Sequence, residues 1–144
     1  MQPFEAERDG YRVSTDPALL DVATIHSFLS ERSYWAQGRT LEVTRTAIAN
    51  SLCFGLYAPD GSQVAFARVV TDYVTFAWLC DVFVLEEHRG QGLGKWLVAC
   101  VTSHPALHGI NAFILATRDA QELYSRYGAF EVLTQPQNWM RRQA

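Results

Sequence analysis

Hydrophobic and polar positions repeat along this chain at two periods, and the changes of period mark its elements. Tyr11 to Thr15 is a short strand candidate. Asp16-Pro17 then has the form of a helix start, a capping carboxylate before proline at the first helical position, and predicts a helix to about Ser30. Val22, Ile25 and Leu29 give that helix an inward face, while Asp21, Glu31 and Arg32 mark solvent. His26 within it reads as a surface or satisfied histidine. Ser33 to Arg39 breaks the pattern, and Thr40 caps a second, shorter helix over roughly Leu41 to Asn50.

Period two follows. Leu52 to Ala58 and Gln63 to Thr71 flank Pro59-Asp60-Gly61-Ser62 and read as a hairpin. Thr75 to Leu85 is apolar on both faces except at Asp81, the pattern of a central, doubly covered strand. Leu93, Trp96, Leu97, Cys100 and Val101 then form a helical stripe that must stop near Pro105. Ala112 to Thr117 is a further strand. Asp119 with Glu122 resembles a capping box for a helix with Ala120, Leu123, Tyr124 and Tyr127 inward, closed by Gly128. Phe130 to Thr134 and Trp139 to Arg142 are final strand candidates.

Size and composition narrow the class. A chain of 144 residues reads as a single domain, 1–144, able to bury about two-thirds of its unfolded surface without a disulfide or metal staple. No apolar run nears the roughly 20 residues that span a bilayer, and the first residues lack a signal pattern, so a cytoplasmic location is expected. Cys53, Cys80 and Cys100 lie in apolar segments and fit reduced structural thiols. The net charge of −3 disfavours a nucleic-acid backbone as main partner and is compatible with a cationic acceptor.

The most informative stretch joins the buried strand to the next helix through His88-Arg89-Gly90-Gln91-Gly92-Leu93-Gly94-Lys95. A glycine-rich loop opening a helix aims backbone N–H groups at one point, where the helix end adds about half a positive charge, so phosphate is the natural guest. A P-loop is excluded, because Gly94-Lys95 is followed by Trp96 and Arg89 stands where the first glycine belongs. A dinucleotide fingerprint fits poorly, since Gly90, Gly92 and Gly94 are evenly spaced and follow a meander.

A third pattern matches. Arg89-x-x-Gly92-x-Gly94 after a Val84-containing strand resembles the R/Q-x-x-G-x-G/A motif of the GNAT acetyltransferases, and the order of elements from about Tyr11 to Arg142 resembles the GNAT plan. The resemblance implies an α/β (α+β) GNAT fold. Its central sheet would be mixed and mostly antiparallel, with six to seven strands and about four helices. It would splay between the fourth and fifth strands, here Thr75–Leu85 and Ala112–Thr117. In that family the splay admits pantetheine, so Val82, Phe83 and Val84 would offer backbone to the arm and thioester. The loop Arg89, Gly90, Gln91, Gly92, Leu93, Gly94 and Lys95 would take the pyrophosphate of acetyl-CoA, a cosubstrate used without metal. A Cβ at Gly92 or Gly94 would hold the backbone away from the phosphates.

Ala120-Gln121-Glu122-Leu123-Tyr124-Ser125-Arg126-Tyr127-Gly128 resembles the family's A-x-x-L-Y-x-x-x-G segment, whose tyrosine protonates the departing CoA thiolate. That implies Tyr124 as general acid, beside the plainer reading that it packs. Two positions depart from the pattern: Thr117 stands where the family often has an asparagine, which leaves its cofactor contact open, and Gly128-Ala129-Phe130 replaces Gly-Phe.

On the acceptor side, an amine titrating at about 10.4 must shed a proton before attack. Leu79-Cys80-Asp81-Val82 resembles the Leu-Glu-Asp segment of polyamine-acetylating members, which implies Asp81 facing the acceptor; a structural carboxylate is the alternative. Tyr34 and Trp35 lie in the loop that shapes the acceptor pocket in that family, and aromatic walls suit an amine on an apolar body. His88 reads as a solvated side chain beside the loop. His104 and His108 are separated by Pro105, which argues against a metal pair.

The expectation is therefore an N-acetyltransferase acting on a small primary amine, a homodimer by resemblance, with no nucleic-acid or membrane partner. A protein lysine or N-terminal acetyltransferase is the alternative enzyme, and a non-catalytic acyl-CoA-binding regulatory module the alternative of another class.

Overall fold

The structure, a computed structural model, describes residues 1–144. Its strands are β1 (Glu5–Arg8), β2 (Tyr11–Ser14), β3 (Leu52–Tyr57), β4 (Gln63–Thr71), β5 (Phe76–Val84) and β6 (Ala112–Leu115), and its helices α1 (Val22–Glu31), α2 (Leu41–Ala49), α3 (Leu93–Thr102) and α4 (Gln121–Gly128). The strands form one sheet in chain order, antiparallel from β1 to β5, with β6 parallel to β5. A parallel neighbour requires a crossover, and α3 supplies it.

Both faces of the sheet are covered, as the apolar character of β3 and β5 requires. On one face Leu97, Val98 and Val101 of α3 and Tyr124 of α4 pack with Val13, Phe54, Val64 and Leu79. On the other, Ile25, Phe28 and Leu29 of α1 pack with Cys53, Phe66 and Phe83. Phe28 stacks on Phe83 with ring centroids 4.1 Å apart. Burial of each such side chain contributes roughly 1.5–3 kcal/mol.

The bulge in β5 positions the site. Phe66 pairs with Phe83 and Arg68 with Cys80, so Asp81 and Val82 together oppose Ala67. Asp81 absorbs the extra residue with φ of 53°, a left-handed conformation that aspartate tolerates better than most side chains. Leu79 belongs to the α3 side of the sheet and Phe83 to the α1 side. The bulge thus turns the lone carboxylate onto the α1 side.

Several boundaries differ from the sequence reading. β1 was not anticipated: its Glu-Ala-Glu-Arg is a solvated edge strand, and the Asp9-Gly10 turn, with φ of 51° and 82°, is its main signal. Asp16 caps only a 3-10 turn at Pro17–Leu19, accepting from Ala18 N at 2.9 Å. Asp21, expected to mark solvent, caps α1 by accepting from Thr24 N at 3.1 Å. Asp119 forms no capping box; the Thr117 hydroxyl accepts from Ala120 N at 3.1 Å instead. Ala129, with φ of 59°, rather than Gly128 takes the left-handed position that ends α4.

Phe130 to Thr134 and Trp139 to Arg142 are not strands. Phe130 packs edge-on against Phe113 and Tyr124, while Val132 and Met140 are exposed, and the only regular element beyond α4 is a 3-10 turn at Pro136–Asn138. The six strands therefore include β1 and end at β6.

Candidate active site

The glycine-rich loop leaves a run of donors open. Arg89 N bonds to Glu86 O at 3.2 Å and Trp96 N to Gly92 O at 3.1 Å, and the amides from Gly90 to Lys95 have no acceptor within the chain. The expected cradle from Arg89 to Lys95 therefore starts at Gly90. Gly90 and Gly92 sit at φ of 82° and 79°, where a side chain is strained, and Gly92 is the N-cap of α3 without a capping side chain. Open amides at the positive end of a ten-residue helix suit an anion. Gly94 differs from the expectation: a Cβ there would turn toward β5, 3.5 Å from Val84 Cγ2, an ordinary contact. The position therefore has room for a Cβ.

Cationic and aromatic side chains brace the loop. Arg89 Nε donates to Val84 O at 3.0 Å, so that carbonyl is engaged. Arg8 Nη2 donates to Gly92 O at 3.4 Å, and its guanidinium lies 5.0 Å from the Trp96 ring. Tyr11 donates to Gln91 Oε1 at 3.2 Å. Lys95 Nζ is 5.3 Å from the Tyr127 ring centroid. Leu93 is buried in the α3 core, so that it offers the loop only its backbone.

Upstream, β5 and β6 pair from Phe76–Ala112 to Leu79–Leu115, and β6 then ends while β5 continues to Val84. The splay expected between these strands is present. Val82 and Phe83 lie along its open side. Where the strands part there is a cavity of about 480 Å³, within the range of small-molecule sites, whose lining includes Tyr34, Trp35, Asp81, Val82, Thr117 and Tyr124. The structure thus brings together the acceptor-side candidates and Tyr124. The Thr117 hydroxyl is spent on the start of α4. The side chain of Phe83 is in the core on the α1 side.

The lining residues that escaped the sequence reading include three arginines and a tryptophan, Arg39, Arg68, Arg118 and Trp78. The Asp81 carboxylate, 2% exposed, accepts from Trp35 Nε1 at 2.9 Å and Arg39 Nη2 at 3.4 Å on one oxygen, and from Arg39 Nη1 at 2.8 Å and Arg68 Nε at 2.9 Å on the other. Burial raises its affinity for a proton, but the bonds from Arg39 and the Arg68 charge outweigh burial and hold it below the usual carboxylate range. All of its roughly four lone-pair sites are taken. Its burial is thus offset by arginines of the chain, where the sequence reading looked to a cationic amine.

Tyr34 closes one side. Its hydroxyl accepts from Arg118 N at 3.0 Å, the Arg118 guanidinium stacks 3.8 Å from its ring, and Trp35 lies edge-on at 5.0 Å. Tyr124 is buried, and burial, with Tyr34 and Asp119 adding to it, pushes its phenol up to about 12. Such a hydroxyl keeps its proton at neutral pH and can donate it. His104 Nδ1 accepts from Ala106 N at 3.0 Å, and its buried Nε2 has no partner.

Comparison with known proteins bears on this arrangement. Residues 20–129 match the model of the acetyltransferase (GNAT) family. A protein of Gibberella zeae with a provisional acetyltransferase name is 34% identical over 87% of this chain and 81% of its own length. The crystal structure of a provisionally assigned GNAT acetyltransferase from Xanthomonas campestris pv. campestris superposes with a TM-score of 0.88 at 51% identity, covering 93% of both chains. A predicted acetyltransferase from Clostridium acetobutylicum, solved with acetyl-CoA, shares the fold at a TM-score of 0.65 and 16% identity, over 92% of this chain and 94% of that one.

Proposed function

The chain belongs to the GNAT acetyltransferase family, and from that premise we propose that it transfers the acetyl group of acetyl-CoA directly to a primary amine of a small molecule. One observation carries the reading: β5 links the open amides at Gly90–Lys95 to the cavity at its bulge, so a cosubstrate laid along the strand reaches from an anion site to Tyr124.

The residues fit that cosubstrate, and each takes a role. The amides of Gly90 to Lys95 hold the pyrophosphate, with Arg8 and Arg89 bracing the loop. Val82 and Phe83 present their backbone along the splay. Acetyl-CoA supplies an acyl group activated as a thioester. Tyr124 gives a proton to the departing sulfur, a role that contributes roughly two to four orders of magnitude. The acceptor ammonium first loses a proton to solvent; its nitrogen then attacks, the N–C bond forms, the C–S bond breaks, and the second nitrogen proton leaves to solvent, from which Tyr124 regains the proton it gave to sulfur. Asp81 acts as a positioning residue that fixes Trp35, Arg39 and Arg68 around the acceptor.

The contact between Tyr34 and Arg118 favours a small acceptor over a protein one, since it bridges the two loops that a peptide groove would keep apart. Calorimetric titration with acetyl-CoA, followed by free-thiol release with a panel of amines and peptides, tests the proposal. Micromolar binding and amine-dependent release are expected. Absence of binding at high micromolar acetyl-CoA, or release only with peptides, would sink it.

A further inference from the structure

The charges lining the cavity do not suit the diamine that a lone carboxylate in a strand suggests. Arg39, Arg68 and Arg118 face Asp81 and Asp119, which leaves one positive charge unanswered. Arg118 and Asp119 form an exposed pair at 3.9 Å, so the excess belongs to the inner arginines. Arg68 spends Nε on Asp81 and Nη1 on Ser51 Oγ at 3.0 Å, leaving Nη2. Arg39 spends one N–H on each Nη and keeps the rest of its five donors. The side chains of Arg39 and Arg68 are 18% and 13% exposed, too buried for full hydration and open enough to be reached. Trp35 and Trp78 supply aromatic surface in the same cavity.

We propose that the acceptor is an amine that also bears a carboxylate, an amino acid with an apolar or aromatic body. Arg39 and Arg68 take the carboxylate, and Trp35 and Trp78 take the body. Guanidinium forks match a carboxylate in geometry, and a single excess charge matches a monoanion rather than a phosphate dianion. Asp81 has no free lone pair for a second ammonium, so a polyamine finds no open carboxylate beside the inner arginines. The inference rests on the transferase reading and deepens it.

The test compares each proteinogenic amino acid with its amide, which keeps the shape and removes the charge, by thiol release from the full chain. Putrescine and glucosamine 6-phosphate complete the panel. At least one amino acid should exceed its amide in kcat/KM by about tenfold to a hundredfold, the range of one charge-assisted contact. Arg39→Gln should bring that ratio near one while the acetyl-CoA KM stays within about threefold, and Arg39→Lys should restore part of it. A thermal melt checks that the variants fold. Equal or better turnover of the amides, putrescine or glucosamine 6-phosphate overturns the inference and leaves the transferase reading standing. Calorimetry with the N-acetyl amino acids and their amides separates the two claims. If no amine is acetylated but the acids bind better than the amides in an Arg39-dependent way, the transferase reading fails and the anion site stands. If neither turnover nor binding favours the carboxylate, the inference falls.

Discussion

Asp81→Asn isolates the charge at the centre of the candidate site. Asparagine keeps the size of the side chain and tolerates the left-handed backbone at φ of 53°, so the perturbation is one negative charge. Breaking a fully buried pair costs about 3–5 kcal/mol. The partners here retain 18% and 13% exposure, and the amide oxygen still accepts from one of them, so about 2–3 kcal/mol is expected. For a chain of this size that lowers Tm by roughly 10 °C.

The sign of the pH dependence follows from the depressed carboxyl. Its stabilisation is fully present above the unfolded value of 3.8 and is lost as pH falls through the lower folded value. The gap between wild type and Asp81→Asn should therefore be constant near neutrality and close below about pH 4. Urea denaturation followed by tryptophan fluorescence, with Trp35 bonded to the carboxylate, reads both. Catalytically, a positioning role predicts a raised acceptor KM with an unshifted pH–rate profile. Equal stability at pH 7 with no closing gap in acid would refute the charge assignment, and loss of the acid-side limb from the profile would make Asp81 a general base.

The loop glycines should separate fold from ligand. Gly92→Ala forces a left-handed alanine and should cost about 1–2 kcal/mol and at least tenfold in acetyl-CoA affinity, while Gly94→Ala, with room for its Cβ, should keep affinity within about threefold and gain up to about 1 kcal/mol in melts. Equal affinity losses in calorimetry would contradict the Gly94 geometry. Tyr124→Phe should lower kcat by about two to four orders of magnitude with acetyl-CoA affinity nearly intact, and unchanged turnover in the thiol assay rejects the acid role. Burial, the leading cause in each, pushes Cys53 up to about 12, Cys80 and Cys100 up to about 11 and Tyr124 up to about 12. Unfolded thiols at 9.0 and phenols at 10.0 lose protons that the folded chain keeps, so stability should be flat in these groups below pH 8 and fall as pH rises from 9 to 12. Urea midpoints that stay level to pH 10.5 would count against it, and Cys53→Ala should shallow the fall.

What was legible in the sequence follows from where each signal is stored. The β3–β4 hairpin, the doubly covered β5 and the stripe of α3 depend on local periodicity, and they stand where the pattern puts them. Asp16 and Asp21 both satisfy the capping rule, and only the extended backbone at Leu20 decides which one starts the long helix. Asp81 shows the limit most clearly. A lone carboxylate in an apolar run says that its charge must be answered, not by what. Half of the answer was readable: Arg68 is the only charge between Gln63 and Thr71, and pairing across the turn from Asp72 to Thr75 sets it against Cys80. The other half, Arg39, reaches the carboxylate from the connection between α1 and α2, a tertiary placement with no local signature. That second arginine inverts the functional reading, because one partner leaves a neutral pair and two leave a cation. The same Asp81 that suggested a cationic acceptor thereby becomes the support for an anion site.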